Sequence, residues 1–230
     1  MSNIKKIKIL PNGPYLIDED LELNSSFLED DGEGGTTAFS NGKKYETAGK
    51  YSLCRCGHSK NKPFCDGTHA KINFDGEETS DNIPYLESSK IYVGKAFSIR
   101  DKQELCVVAR FCDRLEGAWR LTMKSGTGNE EKDNMAIFMG ESCPSGRLTI
   151  EKDGKLLEPE YKKSIDLLND KYNNCKGPIF AKGGIIIEGS SGTIYEIRNR
   201  MTLCRCGESK NKPFCDAAHL NAEHMKGFDK

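Results

Sequence analysis

The chain of 230 residues carries 34 basic and 35 acidic side chains, and its formal net charge is -1. Lys and Glu are interspersed and form no basic stripe, which argues against a nucleic-acid partner. There is no run of about 18 apolar residues, and the amino terminus is too short and too mixed for a secretory signal. We therefore expect a cytoplasmic protein without a membrane partner.

The first part of the sequence predicts short strands. Ile4 to Leu10 alternates apolar and basic residues, and Tyr15 to Leu23 continues as a second extended stretch. Glu29 to Thr37 is acidic and glycine-rich, which is typical of a mobile loop. We expect a β-rich module that this loop interrupts.

The middle of the chain has a different character. Lys90 to Val93 and Leu148 to Glu151 are strand candidates, and the following Asp153-Gly154 pair is typical of a hairpin turn. Gln103 to Leu115 has apolar residues at helical spacing. These patterns predict an α+β segment.

The last part of the chain again predicts strands. Ile165 to Tyr172 fits a short helix that leads into this part, and Ile185 to Ile187 and Thr193 to Ile197 fit strands. The fold class that follows is β-rich or α+β, with domains at residues 1–80, 83–160 and 165–230.

A long repeat links the two ends of the chain. The segment from Leu53 to His69 returns from Leu203 to His219 with 14 of 17 positions identical, and both copies read C-x-C-x8-C-x3-H. The Gly-Pro pair at Gly13 also returns, at Gly177. The repeated unit is therefore a module that is longer than the motif.

Each copy provides three thiols and one imidazole, which is a set of soft ligands that suits zinc or an iron-sulfur cluster. The candidate ligands are Cys54, Cys56, Cys65 and His69 in the first copy and Cys204, Cys206, Cys215 and His219 in the second. Structural zinc sites usually take their thiolates from C-x2-4-C pairs. The C-x-C spacing therefore favours a two-iron cluster, and a zinc-stabilised interaction module is the alternative.

Reduced thiols are expected throughout the chain. Six of the ten cysteines have metal-ligand spacing, and no export signal is visible.

The motif resembles that of the CDGSH iron-sulfur family, whose signature is C-x-C-x2-S/T-x3-P-x-C-D-G-S/A/T-H. The first copy matches it at Cys54, Cys56, Ser59, Pro63, Cys65, Asp66, Gly67, Thr68 and His69. The resemblance implies two 2Fe-2S clusters, each held by three Cys and one His. The second copy departs from the signature at Ala217, where the family has Gly.

The resemblance also implies how the modules are arranged. Family members with two motifs resemble a homodimer fused into one chain, so we expect a monomer whose first and last modules pair about an internal pseudo-twofold axis. Electron transfer, cluster transfer or redox sensing would follow, with a redox or cluster-acceptor protein as partner. No catalytic pattern is recognisable, so we expect a protein that is not an enzyme.

Three further cysteines lie in the middle segment. Cys106 and Cys112 have C-x5-C spacing, and Cys143 begins a Cys-Pro-Ser-Gly sequence. These features resemble a divergent single-cluster ferredoxin-like domain, although Arg147 replaces a small alanine of that pattern. The resemblance implies a third iron-sulfur cluster, and a three-centre electron relay is then a second alternative function. In the other interpretation, the three thiols are small buried hydrophobes.

Residues near the motifs have simpler expected roles. Asp66 and Asp216 follow the third Cys of each copy and either support the cluster from outside its ligand set or form an Asx turn. His58 and His224 have no counterpart in the repeat, so we expect them at the surface rather than as ligands. Cys175 has no partner in either motif and is expected to pack or to lie partly exposed.

Overall fold

The computed structural model describes residues 5–17, 21–47 and 49–228. The strands of this part of the chain are β1 (Lys6–Ile9), β2 (Tyr15–Ile17), β3 (Glu22–Asp30), β4 (Thr36–Tyr45), β5 (Tyr51–Leu53), β6 (Lys90–Val93), β7 (Ser98–Asp101), β8 (Leu148–Lys152), β9 (Lys155–Leu157), β10 (Ser164–Asp170), β11 (Cys175–Lys182), β12 (Ile186–Glu188) and β13 (Arg200–Leu203). Its helices are α1 (Thr68–Lys71), α2 (Tyr85–Ser88), α3 (Ala118–Met123) and α4 (Glu130–Glu141). None of them has the length and apolar character needed to span a bilayer.

Strands of the two ends of the chain are exchanged between two sheets. One sheet has the order β12-β1-β2-β5, and the other has the order β13-β11-β10-β3-β4. β1 pairs in parallel with β12, and β10 pairs in parallel with β3. The first strand of each end thus pairs with the third strand of the other, which gives the expected intramolecular pseudo-dimer.

The main hydrophobic core is shared equally by the two ends. Nine of its 18 buried residues come from each end. They are Ile7, Ile9, Tyr15, Ile17, Leu21, Leu23, Tyr45, Tyr51 and Leu53, and Ile165, Leu167, Ile179, Ala181, Ile185, Ile187, Tyr195, Met201 and Leu203. Neither end encloses this core without the other, so the two halves are expected to unfold as one unit.

The middle segment forms a third sheet with the order β6-β7-β8-β9, with α3 and α4 packed on it. Asp153 and Gly154, both with positive φ, connect β8 to β9, which confirms the predicted hairpin turn. The strands predicted at Lys90 to Val93 and at Leu148 to Glu151 are also confirmed as β6 and β8. The fold is β-rich with few helices, as predicted.

Arg200 joins this middle sheet to the second motif. It lies at the start of β13, its side chain is fully buried, and it forms an ion pair with Glu158 at 2.7 Å. Its guanidinium also donates to the carbonyl oxygens of Gly140 at 2.6 Å and Cys143 at 2.9 Å. The middle segment is therefore attached to the strand that leads into the second Cys motif.

Two helix predictions are wrong. Between Gln103 and Leu115 the structure has only two short 3-10 turns, and Val108 and Arg110 have positive φ. The buried residues Leu105, Val107, Ala109 and Phe111 follow a period of two, which is that of extended chain. The stretch from Ile165 to Tyr172 includes all of β10 except Ser164. This strand is interior and all its residues are buried, so its sequence lacks the alternation that would distinguish a strand from a helix.

Other boundaries need correction. The predicted strand from Thr193 to Ile197 is reduced to one bridge between Ile194 and Glu188. The stretch from Glu29 to Thr37 is the turn of the β3–β4 hairpin and includes strand residues at both ends.

The two extended stretches predicted near the amino terminus have different outcomes. β1 confirms the predicted strand at Ile4 to Leu10, of which Ile4 lies outside the described residues. The second extended stretch contains β2 and the start of β3, and residues 18–20 between them are outside the described part.

Candidate metal centres

The same backbone contacts shape both copies of the Cys motif. The amide of Cys54 donates to the carbonyl of Pro63 at 2.9 Å, and the amide of Cys204 donates to that of Pro213 at 2.8 Å. In each copy a serine hydroxyl bonds the carbonyl just before the third Cys, from Ser59 at 2.6 Å and from Ser209 at 2.7 Å. The identical sequences therefore fold into equivalent loops.

The arginine inside each C-x-C sequence anchors the loop to the preceding Gly-Pro pair. Nε of Arg55 donates to the carbonyl of Gly13 at 2.8 Å, and Nε of Arg205 donates to that of Gly177 at 2.6 Å. Both arginine side chains are buried. The sequence analysis did not assign this anchoring role. The arginine within C-x-C and the Gly-Pro pair occur in both copies, and this joint repetition could have indicated the contact.

The donor atoms of each copy are grouped in two pairs. The sulfur atoms of Cys54 and Cys56 lie 3.8 Å apart, and Sγ of Cys65 lies 3.3 Å from Nδ1 of His69. In the second copy, Cys204 and Cys206 are separated by 3.6 Å, and the Cys215–His219 pair by 3.3 Å. Two thiolates on one tetrahedral metal ion are about 3.8 Å apart, and a thiolate and an imidazole about 3.5 Å. Each pair is thus spaced for one metal ion.

The two pairs of a copy do not converge on one point in the structure. Around one tetrahedral ion, all four donors would lie within about 4 Å of one another. Within the described residues, only one set of three or more His, Cys, Asp or Glu donors lies within 4.8 Å of one another, and it contains none of these eight residues. The donor sets therefore fit a unit of two metals, with one pair on each metal.

Hydrogen bonds lower the pKa of one thiol in each C-x-C pair. A bond from the Cys56 thiol, followed by the backbone amides of Ser59 and Gly57, lowers the pKa of Cys54 to about 6. A bond from Cys206 and then the backbone amides of Ser209 and Gly207 lower the pKa of Cys204 to about 7. The thiolate is the form that binds metal, so one thiol of each pair is favoured for ligation, whereas the same bond and burial raise the pKa of its partner, Cys56 or Cys206.

The two centres differ in exposure. Cys65 and His69 are half-buried, whereas Cys215 and His219 are only 1% and 3% exposed. Cys215 packs in a hydrophobic cluster whose other buried members are Leu28, Val107, Ala109 and Phe111. The middle segment thus covers the second centre.

Tyr15 supports the second centre from the opposite end of the chain. Its hydroxyl donates to the carbonyl of Cys204 at 2.7 Å, and its side chain is fully buried. The corresponding position of the second module is Ile179, which has no hydroxyl. The first module therefore helps to hold a candidate ligand loop of the second.

Asp66 and Asp216 form Asx turns at equivalent positions. Oδ1 of Asp66 accepts from the amide of Thr68 at 3.0 Å, and Oδ2 accepts from the amide of Lys60 at 2.8 Å. Asp216 makes the same contacts with Ala218 and Lys210. These carboxylates brace the loop across the third Cys.

Ala217 occupies a backbone conformation that suits glycine. Its φ is +71°, and the equivalent Gly67 has φ +82°. A left-handed conformation costs a residue with a Cβ about 1–2 kcal/mol. A Cβ built on Gly67 meets no atom within 4 Å, so strain rather than a clash separates the two copies.

We expect opposite effects when the two residues are exchanged. Ala217→Gly should raise the free energy of unfolding by about 1 kcal/mol, and Gly67→Ala should lower it by a similar amount. Urea unfolding of the metal-loaded protein measures both. Equal and same-signed shifts would contradict this explanation.

The three cysteines of the middle segment surround one cavity. Cys106, Cys112 and Cys143 line an apolar space of about 170 Å³. Arg147 also lines it and is held by Asp101 through bonds of 2.7 and 3.0 Å. Burial raises the pKa of Cys112 to about 12, so in the absence of metal this thiol stays protonated.

Cys175 is fully buried and lies in β11, outside both ligand loops. It therefore packs, which is one of the two placements expected for it.

Two sets of paired Cys and His donors, held on β modules that exchange strands, indicate a metal-binding protein. A family model described as iron-binding zinc finger, CDGSH type, matches residues 12–70 and 176–220. Each match includes one copy of the repeated motif, as the motif predicted, and we call these two matched regions the CDGSH-type domains. The match leaves the middle segment uncovered, so its ferredoxin-like character stays a prediction. Searches of curated proteins and of solved structures found no match.

Proposed function

We propose that the protein carries two 2Fe-2S clusters, one in each CDGSH-type domain. The observation that supports this most is the separation of each donor set into two pairs, since no three of its donors lie within 4.8 Å of one another. A zinc-stabilised module would need four converging donors in each copy. The geometry therefore favours the two-metal centre over the zinc alternative.

In each proposed centre, one pair of ligands would bind each of the two irons. Cys54 and Cys56 would hold one iron, and Cys65 and His69 the other; in the second domain the pairs are Cys204 with Cys206 and Cys215 with His219. When bound, such a cluster supplies one-electron redox chemistry at a potential between those of all-Cys and two-His clusters. Backbone amides that point at the sulfurs, such as that of Gly67 at 3.5 Å from Sγ of Cys65, stabilise the negative charge of the thiolates.

We propose a carrier rather than an enzyme, acting in electron transfer, cluster transfer or redox sensing. Site 1, formed by the ligands of the first copy, is half-exposed at Cys65 and His69 and would serve exchange with a partner protein. Site 2, formed by those of the second copy, is buried and would retain its cluster. A cytoplasmic location fits ligand thiols that must stay reduced.

Nitrogen coupling tests the proposed ligand set. Pulsed electron paramagnetic resonance of the reduced protein should detect imidazole nitrogen. The coupling should disappear in the double variant His69→Cys, His219→Cys, which keeps four ligands in each set. A reduced wild-type protein with paramagnetic centres but no nitrogen coupling would contradict the assignment.

Acid should remove metal from site 1 before site 2. Acid competes with metal for the imidazole, and burial, followed by the charge of Arg205, lowers the pKa of His219 from 6.5 to about 4. The folded state thus takes up this proton less readily than the unfolded state, so the stability contributed by neutral His219 is present above pH 6.5 and is lost as the pH falls from there towards about 4. His69 is half-buried and therefore more accessible to solvent than His219.

The order in which the two sites lose metal can be measured with variants that each keep one intact donor set. At mildly acidic pH, Cys215→Ala, which keeps site 1, should lose visible absorption faster than Cys65→Ala, which keeps site 2. His69→Cys in the Cys215→Ala background should slow the loss. The account fails on this point if site 2 bleaches first.

A third cluster in the middle segment is a second candidate function, and the shared cavity favours it. Three thiols line a space comparable to the engineered cavity of about 150 Å³ that admits benzene. The charge of Arg147 would offset that of the thiolates beside it. Since Val107 and Ala109 of the same segment pack against Cys215, a cluster here would lie beside site 2 and could pass electrons to it.

Iron counting tests the relay. Protein purified without oxygen should contain more than about four iron atoms per chain, and Cys112→Ser should lose only the excess. Cys175→Ser, which changes a buried thiol outside the cavity, is the matched control. A count of about four in the wild type would exclude the third cluster.

A further inference from the structure

His58, Glu208 and His224 come together at the surface, outside the eight candidate ligands. Their donor atoms all lie within 4.8 Å of one another, and no other group of three or more His, Cys, Asp or Glu in the described residues does so. His58 and Glu208 are exposed, and His224 is half-buried. Sequence reasoning expected the two histidines at the surface but did not bring them together.

The contact between the two C-x-C loops creates this group. A Cβ on Gly57 would meet the carbonyl oxygen of Cys206 at 2.5 Å, and one on Gly207 would meet that of Cys56 at 2.7 Å. The loops can approach this closely because both positions are glycine. The next residue in each loop, His58 in one and Glu208 in the other, is therefore held at the junction.

These two residues occupy equivalent positions of the repeat. His58 and Glu208 mark one of only three differences between the 17-residue copies. Identical residues here would place two imidazoles or two carboxylates at the junction. The observed difference instead provides one of each, which is a complementary pair of metal ligands.

His224 comes from the carboxyl-terminal segment and is oriented by a backbone contact. Its Nε2 lies 2.9 Å from the carbonyl oxygen of Cys206. A carbonyl can only accept, so Nε2 is the donor of this bond and Nδ1 is the nitrogen available to a metal. Histidines that bind metal usually donate their other ring N–H to such an acceptor.

We propose that His58, Glu208 and His224 form an additional site for a divalent cation of the zinc class. Two imidazoles and one carboxylate are a ligand set that zinc accepts, with the fourth position left to water. The centroids of the two rings are 4.2 Å apart, and the exposed His58 ring can turn to direct a nitrogen at the ion. A bound cation would tie both C-x-C loops to the carboxyl-terminal segment.

The charge of the junction supports a cation. Glu208 provides the negative charge that two neutral imidazoles lack. The backbone amide of Glu208 also donates to Sγ of Cys206 at 3.5 Å, so its side chain projects from a loop that already holds a candidate cluster ligand. The proposal does not depend on which metal the C-x-C sites hold.

Zinc binding to the untagged, metal-loaded protein tests the proposal. The protein is dialysed against Zn²⁺ and its zinc and iron are counted. We expect uptake of one Zn²⁺ per chain without loss of iron. His58→Gln and Glu208→Gln should each weaken this binding at least about ten-fold.

Glu223→Gln is the matched control, because it removes an exposed acid next to His224 that is not part of the group. It should bind Zn²⁺ as the wild type does. The proposal is overturned if the wild type takes up no more Zn²⁺ than His58→Gln, or if zinc enters only as iron leaves. A colourless protein that already holds two zinc ions before dialysis would instead contradict the 2Fe-2S assignment and leave this site to be decided by the same uptake.

Discussion

Alanine at Cys65 is expected to remove about half of the metal that the two CDGSH-type domains hold. In the proposed ligand set, the change removes the sulfur that lies 3.3 Å from Nδ1 of His69 and leaves His69 as the only protein ligand of one metal of site 1. Site 2 lies on other loops and should keep its full content. Iron and acid-labile sulfide, counted after anaerobic purification, measure the effect.

Cys215→Ala should also halve the metal content but should cost more stability. Cys215 is part of a buried cluster with Leu28 and Phe111, whereas Cys65 is half-buried. Cys175→Ala is the control, because it deletes an equally buried thiol outside the ligand sets and should leave iron unchanged. Total loss of iron in either ligand variant would show that the two sites do not load independently.

Arg200→Ala is expected to lower the free energy of unfolding by about 3–5 kcal/mol, because it leaves several carbonyl oxygens without their donor, at about 1–3 kcal/mol for each one that is buried. The guanidinium is fully buried against Glu158 and donates to the carbonyls of Gly140 and Cys143. Its loss would detach the middle segment from β13. Denaturant unfolding of the loaded protein measures the change.

Lys162→Ala is the matched control for this effect. Lys162 pairs with Glu22 at 3.1 Å, but the two side chains are 74% and 42% exposed. Exposed pairs contribute about 0–1 kcal/mol. A loss at Arg200 no larger than that at Lys162 would mean that the Arg200 contacts do not hold the middle segment in place.

The ligand loops were predictable because each is local in sequence. All four donors of a copy lie within 16 residues, and the serine and aspartate contacts that brace them stay inside the same stretch. The pairing of the donors followed from their spacing, and their proposed division between two metals follows from spacing and resemblance. The structure added the distances within each pair and the finding that, among the described residues, no three donors of a copy lie within 4.8 Å of one another.

Features formed between distant parts of the chain were not predictable in this way. β10 is buried on both faces, so its sequence lacks the alternation of a half-buried strand. The stretch around Val107 and Ala109 has no partner strand, and its packing on Cys215 decides its extended form. The arginine anchors and the His58–Glu208–His224 group likewise depend on how the two modules pair.

The most direct test of the account is one set of measurements on protein purified without oxygen: visible absorption together with iron, sulfide and zinc content. Two 2Fe-2S centres predict red-brown protein whose bands bleach on reduction, with iron and sulfide in equal amounts and at least about four of each per chain. Colourless protein with about one zinc ion in each CDGSH-type domain and no sulfide would contradict it.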